Sequence, residues 1–106
     1  MPMTDRLGDA AVLLQQALSL QQDGKLPEAE RLYRRVLVAD PANADALNLL
    51  AIIHHERGDR DLAIRMLRAA IAQQPEAGRF YNNLAVVLAK HGDRIGSIAA
   101  LRQSVG

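Results

Sequence analysis

The chain has 106 residues, of which 49% are hydrophobic and 24% charged, with a net charge of +1 and no cysteine. This length and balance fit one globular domain, and the lack of cysteine excludes disulfides and thiolate metal sites. So small a net charge gives no general pull toward nucleic acid or an anionic membrane, and no apolar run approaches the roughly 20 residues needed to cross a bilayer.

Apolar spacing predicts six helices. The first, over about 8–22, carries Leu13, Ala17 and Leu20, and Gln15-Gln16 break its apolar run too early for a secretory signal. A cytoplasmic chain is therefore expected. The second, about 26–39, places Ala29 and Tyr33 inward and stops before Pro41, because the residue before proline avoids the helical region. The third, about 44–57, has Leu47, Leu50, Ala51 and His54 at i, i+3, i+4 and i+7. In the fourth, about 60–73, Ala63, Leu67, Ala70 and Ile71 share a face, and Pro75 follows. The fifth, about 78–91, shows Tyr81, Leu84, Ala85 and Leu88, and the sixth, about 94–105, shows Ser97 and Leu101 in the matching places.

A period of 34 residues runs through these elements: Gly24, Gly58 and Gly92; Ala17, Ala51 and Ala85; Leu18, Ile52 and Val86; Pro41 and Pro75. The small alanines let paired helices approach closely. Arg57-Gly58-Asp59 has the form of an adhesion tripeptide, yet the equivalent places read Asp23-Gly24-Lys25 and His91-Gly92-Asp93. Only the glycine recurs, as expected of a backbone that needs φ > 0 between one helix and the N-cap of the next.

The stretch LNLLAIIHHERGDRDLAIRMLRAAIAQQP resembles a tetratricopeptide repeat, matching its pattern at Leu47, Leu50, Ala51, His54, Ala63, Leu67 and Pro75. The first period matches at Leu13, Ala17, Leu20, Ala29, Tyr33 and Pro41, and the third at Tyr81, Leu84, Ala85, Leu88 and Leu101. The resemblance implies an all-α, right-handed solenoid of three antiparallel helix pairs. The expected division is an N-terminal extension, 1–9, and repeats over 10–43, 44–77 and 78–106, the last one truncated.

No phosphate loop, nucleophile elbow or paired-carboxylate motif appears, so a non-enzyme without cofactor is expected. His54 and His55 point about 100° apart on a helix and cannot share one metal, so no metal site is expected. His54 lies on the core stripe in the column of Leu20 and Leu88, which predicts a packed histidine with a hydrogen-bond partner. Arg34, Arg68 and Arg102, extended by Arg31 and Arg65, form a basic ridge on the second helices. Glu30 four before Arg34, and Asp61 four before Arg65, read instead as solvated pairs. Three aromatic residues are too few for a base-stacking platform, so no nucleic acid is expected.

The working surface expected is the concave side, bearing residues about 120° from the core stripe. They are Leu14 and Leu18 in the first period, Asp45, Asn48, Ile52 and His55 in the second, and Arg79, Asn82 and Val86 in the third. An apolar floor in a polar wall suits an extended or helical peptide, with the Asn48 and Asn82 amides serving its main chain. Among family uses, a clamp for chaperone carboxylates would match at Arg79 alone. The asparagine ladder of O-linked N-acetylglucosamine transferases would fall on Gln15, Leu49 and Asn83, of which Asn83 matches. Arrays of this appearance also stand as substrate-presenting arms before glycosyltransferase, sulfotransferase or methyltransferase domains. At the C-terminal end, Ile98, Leu101 and Val105 make an apolar stripe that the pattern leaves uncovered, which points to a homodimer through the last helix pair.

Overall fold

The computed structural model describes residues 6–105. Within that span the chain forms α1 (Arg6–Gln22), α2 (Leu26–Ala39), α3 (Ala44–Glu56), α4 (Arg60–Gln73), α5 (Gly78–Lys90) and α6 (Arg94–Val105). The helix α1 thus enters the stretch assigned to an N-terminal extension, and residues 1–5 lie outside the described residues.

Each helix pair turns on the same device. Gly24, Gly58 and Gly92 have φ of 80°, 87° and 83°. At the middle turn the Gly58 N–H donates to His55 O at 3.0 Å and the Asp59 N–H to His54 O at 2.9 Å. The same two bonds close the turns at Gly24 and Gly92. This Schellman pairing satisfies the last carbonyls of a helix and needs a residue in the left-handed region. A Cβ at any of the three would meet no atom within 4 Å, so φ, and not crowding, reserves the position for glycine. Arg57-Gly58-Asp59 is accordingly a helix end. Asp59 occupies the N-cap of α4 but makes no side-chain cap bond, whereas Asp93 Oδ1 accepts from the Gly96 N–H at 2.8 Å.

The pairs α1–α2, α3–α4 and α5–α6 pack internally and stack through α2–α3, α4–α5 and α3–α5. The result is an all-α solenoid with extents of 51 × 27 × 19 Å. Ala17, Ala51 and Ala85 are buried where paired helices meet, and Ser97 fits a similar close contact by donating its Oγ–H to Ala85 O at 3.0 Å. Tyr33, Val36, Leu50, Ile53, Leu67 and Phe80 are the largest wholly buried side chains. Burial pushes the Tyr33 phenol up to about 12, and its hydroxyl donates to Gln21 Oε1 at 2.5 Å.

The two ends of the stack differ. Ala46, Leu50 and Ile53 of α3 are buried at a repeat seam, and the matching positions of α1 are the exposed Val12, Gln16 and Ser19. At the other end, Tyr33 and Leu67 are wholly buried, while Leu101 in the same column is 47% exposed. Ile95, Ile98 and Val105 stand beside Leu101, also exposed.

The close fit of the last pair depends on Gly78, which stands where the earlier periods have Ala10 and Ala44. A Cβ built on Gly78 would lie 2.6 Å from the Ser104 backbone oxygen. Gly78→Ala is therefore expected to destabilise the chain by about 1–3 kcal/mol, the usual cost of overpacking. Urea unfolding should show a lower midpoint, and an unchanged midpoint would mean that α6 shifts freely.

Candidate functional site

Three helices line the inner face, because the core stripes of α1, α3 and α5 turn the opposite sides of those helices away from α2, α4 and α6. A cavity of about 350 Å³ opens there, lined by Leu14, Gln15, Leu18, Asp45, Asn48, Leu49 and Arg79. Five residues expected at the concave surface thus come together: Leu14, Leu18, Asp45, Asn48 and Arg79. Asn82 and Val86 are exposed on α5 outside that lining. Ile52 is half-buried, also outside it. His55 lines a different opening of about 490 Å³ with Glu56, Lys90 and His91. There the His55 and His91 rings meet edge to face, 5.5 Å between centroids. Burial lowers the His55 pKa below its ordinary value, with nearby Lys90 and His91 adding to the effect and Glu56 opposing it.

Two expectations about this surface need correction. Asn48 is not a free amide: it is 5% exposed, and its Oδ1 accepts from Asn83 Nδ2 at 2.8 Å. A seam between α3 and α5 uses it before a ligand can. Asp45 and Arg79, read from sequence as separate wall positions, pair with each other at 2.7 Å, both about half exposed. The signal for that pair was present, since opposite charges occupy one column of successive periods. Gln15 and Leu49 were missed as lining residues although they form the column of Asn83. The offset of one residue turns a side chain by about 100°, and the tilt between stacked helices brings that neighbouring column into the groove.

One arginine of the basic ridge, Arg34, is engaged. Arg34 donates to Glu30 from Nε at 3.0 Å and from Nη2 at 2.7 Å, and Nη2 reaches His54 Nε2 at 3.4 Å. Arg57 adds a further bond to Glu30. The bond from Arg34 is the main reason that the Glu30 carboxyl titrates below its ordinary value, with Arg57 helping and partial burial opposing. Asp61 contacts Arg60 at 3.3 Å, and the expected pair with Arg65 is not formed. His54 is 6% exposed, as its place on the core stripe implied. Because guanidinium only donates, Nε2 must accept, which puts the proton of the neutral ring on Nδ1.

Comparison with known proteins bears on the whole array. The tetratricopeptide repeat family matches over residues 20–86, more than half of the chain. This chain belongs to that family. An O-GlcNAc transferase variant from Thermobaculum terrenum is 33% identical with a TM-score of 0.93, covering 98% of this chain and 20% of the transferase. PilF of Pseudomonas aeruginosa is 25% identical with a TM-score of 0.88, covering 93% of this chain and 45% of PilF. The type III secretion translocator chaperone SycD of Yersinia enterocolitica shares the fold, with a TM-score of 0.82 at 21% identity over 90% of this chain and 71% of SycD. The chain therefore spans only a fifth of the transferase and under half of PilF. A tetratricopeptide repeat array of this kind is a protein-interaction module. Among the described residues, no helix is long and apolar enough to cross a membrane, and no three His, Cys, Asp or Glu side chains gather as a metal site.

The buried histidine sets a pH dependence. Burial lowers the His54 pKa below its usual 6.5, with Arg34 and Arg57 also disfavouring the charged form and Glu30 and Asp59 opposing them. The folded chain resists a proton that the unfolded chain accepts at about 6.5, so stability is full above that value and falls as pH drops below it. Thermal unfolding midpoints should decline as pH falls below about 6.5, and His54→Leu should flatten the decline. An equal slope in the variant would assign the effect to other groups, His55 first.

Proposed function

We propose that the inner face binds an extended or helical segment of a partner protein. The observation that carries this reading is the cavity to which α1, α3 and α5 all contribute, with an apolar floor and a charged rim. Leu14, Leu18 and Leu49 offer that floor to an aliphatic or aromatic side chain. Ile52 and Val86 extend it along the groove. Asp45 and Arg79 are exposed enough to exchange their mutual ion pair for charges or main-chain groups on the segment. The Asn82 amide is free to pair with main-chain N–H and C=O groups, and His55 lies toward the far end. Repeats at 10–43, 44–77 and 78–106 would each supply one strip of this surface, and the chain acts by holding a partner, without chemistry of its own.

A second reading has its own support. The identity to the Thermobaculum transferase extends over 98% of this chain, which favours a substrate-presenting arm of a larger glycosyltransferase, with sulfotransferase or methyltransferase arms as related forms. The coding sequence beyond Gly106 separates the readings, since a catalytic domain there supports an arm and a stop codon a free adaptor.

The uncovered α6 face supports self-association. Leu101 continues a column that stacking buries at Tyr33 and Leu67, and Ile98 and Val105 continue columns that it partly buries, whereas the opposite end offers Val12 with the polar Gln16 and Ser19. An end with such polar positions is a poor complement for that face, so a two-fold pairing of α6 with α6 of a second copy fits better than a head-to-tail filament.

Two measurements test these proposals. Peptides selected from a displayed library against the immobilised chain should lose affinity by about 2 kcal/mol or more on replacing Leu18 and Ile52 together by Ala, as hot spots do. Unchanged affinity in a folded double variant moves the site off the inner face. In sedimentation velocity, the wild type should gain mass with concentration and Leu101→Glu should stay monomeric. A wild type that is monomeric throughout removes the dimer.

A further inference from the structure

A separate, shallow cavity lies away from the inner face, between α5 and α6 with Arg68 of α4 at its rim. Its volume is about 240 Å³, and Tyr81, Leu84, Leu88, Ala99 and Ala100 supply most of its wall. The preceding period shows what is different here. There, Leu62 and Met66 occupy the α4 columns that in α6 hold Gly96 and Ala100, and Arg65 stands where Ala99 stands. The small Ala99 and Ala100 therefore open this seam, while at Gly96 the Asp93 carboxylate stands where a Cβ would be.

The polar clamp of the earlier seam is dismantled as well. Glu30 and His54, both bonded to Arg34, are replaced by Ile64 and Leu88, while Arg34 itself is matched by Arg68. Arg68 is exposed at the cavity rim, and among the described residues it makes no ion pair. Asp93, the carboxylate of the lining, has Oδ1 committed to the Gly96 N–H. The lining thus carries one charge of each sign, and an apolar pit with an unpaired guanidinium at its edge, across from a carboxylate held by a helix N–H, has the chemistry to receive an apolar group that carries a neighbouring carboxylate on the Arg68 side.

We propose that this outer cavity is a second docking site, which takes one aliphatic or aromatic side chain from an acidic segment of a partner protein, with Arg68 meeting the flanking carboxylate. Size favours a protein anchor over a small molecule: 240 Å³ falls below the roughly 300–1,000 Å³ of ordinary ligand pockets. Leu84 and Leu88, each 7% exposed, form the floor against which such an anchor would exclude water. The site shares no lining residue with the inner cavity, so one partner can engage both or two partners one each.

The test uses the whole chain, labelled for NMR, and a short end-blocked peptide with one phenylalanine set between glutamates. Saturable shifts are expected at the amides of Gly96, Ala99, Ala100 and Gln103, weakening as salt is raised. Arg68→Gln, a surface change that leaves the core intact, should reduce affinity by about fivefold or more, in line with losing one partner of a charged contact. Ala100→Met, which restores the side chain of the preceding period, should reduce it by filling the pit. Shifts confined to Asn82 and Val86, no saturable shifts at millimolar peptide, or equal binding after phenylalanine is replaced by serine would each overturn the proposal. Equal binding by Arg68→Gln would overturn it too.

Discussion

Two antiparallel helices have too little interior to hide all of a tyrosine or a leucine carried on the second helix. Tyr33 and Leu67 are wholly buried because α3 and α5 of the following pairs cover them. Everything else in the molecule follows from that dependence of each pair on the next. It sets the stacking direction, turns one side of α1, α3 and α5 toward a shared inner surface, and decides that the α6 face bears apolar side chains in contact with water. The alanine column makes the stacking possible at short range, and the left-handed glycines bring each second helix back against its first.

Polar groups join helices within the pairs, at Tyr33–Gln21 and Ser97–Ala85, and more often along the seams. Glu30, Arg34, Arg57 and His54 join α2 to the end of α3; Asn48 and Asn83 join α3 to α5; Asp45 and Arg79 join the same two helices at their other end. Arg34, Arg57, Asp45 and Arg79 remain open to water, where an ion pair contributes about 0–1 kcal/mol. Their value lies in geometry: a bond between residues about one period apart fixes how far one pair can slide along its neighbour. The seam between the second and third pairs has lost the Glu30 and His54 partners, which leaves Arg68 unengaged beside small side chains.

Helices, turns and core were legible because the period repeats them. Ala17, Ala51 and Ala85 could be aligned with one another, and so could the three glycines, so each assignment was checked twice within one chain. His54 could be placed in the core by the company of Leu20 and Leu88. Side-chain partners were harder, since a bond is decided by tilt and rotamer and not by column. Asn48 appeared to be a groove amide until Asn83, one residue off its expected counterpart, took its oxygen. Asp61 turned to Arg60 in place of Arg65 because both options lie within reach and no packing selects between them. The outer cavity had a sequence signal in Ala99 and Ala100, but reading it required knowing that their counterparts Arg65 and Met66 face that seam.

The inner cavity draws its walls from α1, α3 and α5, one helix from each pair, so its width is set by the pitch of the stack. Each pair touches only its neighbours, and small rotations at two seams add along the 51 Å length. The array therefore has the mechanics of a short spring whose coils and whose gap are the same object. A segment lodged across all three coils acts as a strut that stiffens the spring, and a bend imposed on the spring opens or narrows the gap, by the reciprocity that joins any two coupled equilibria.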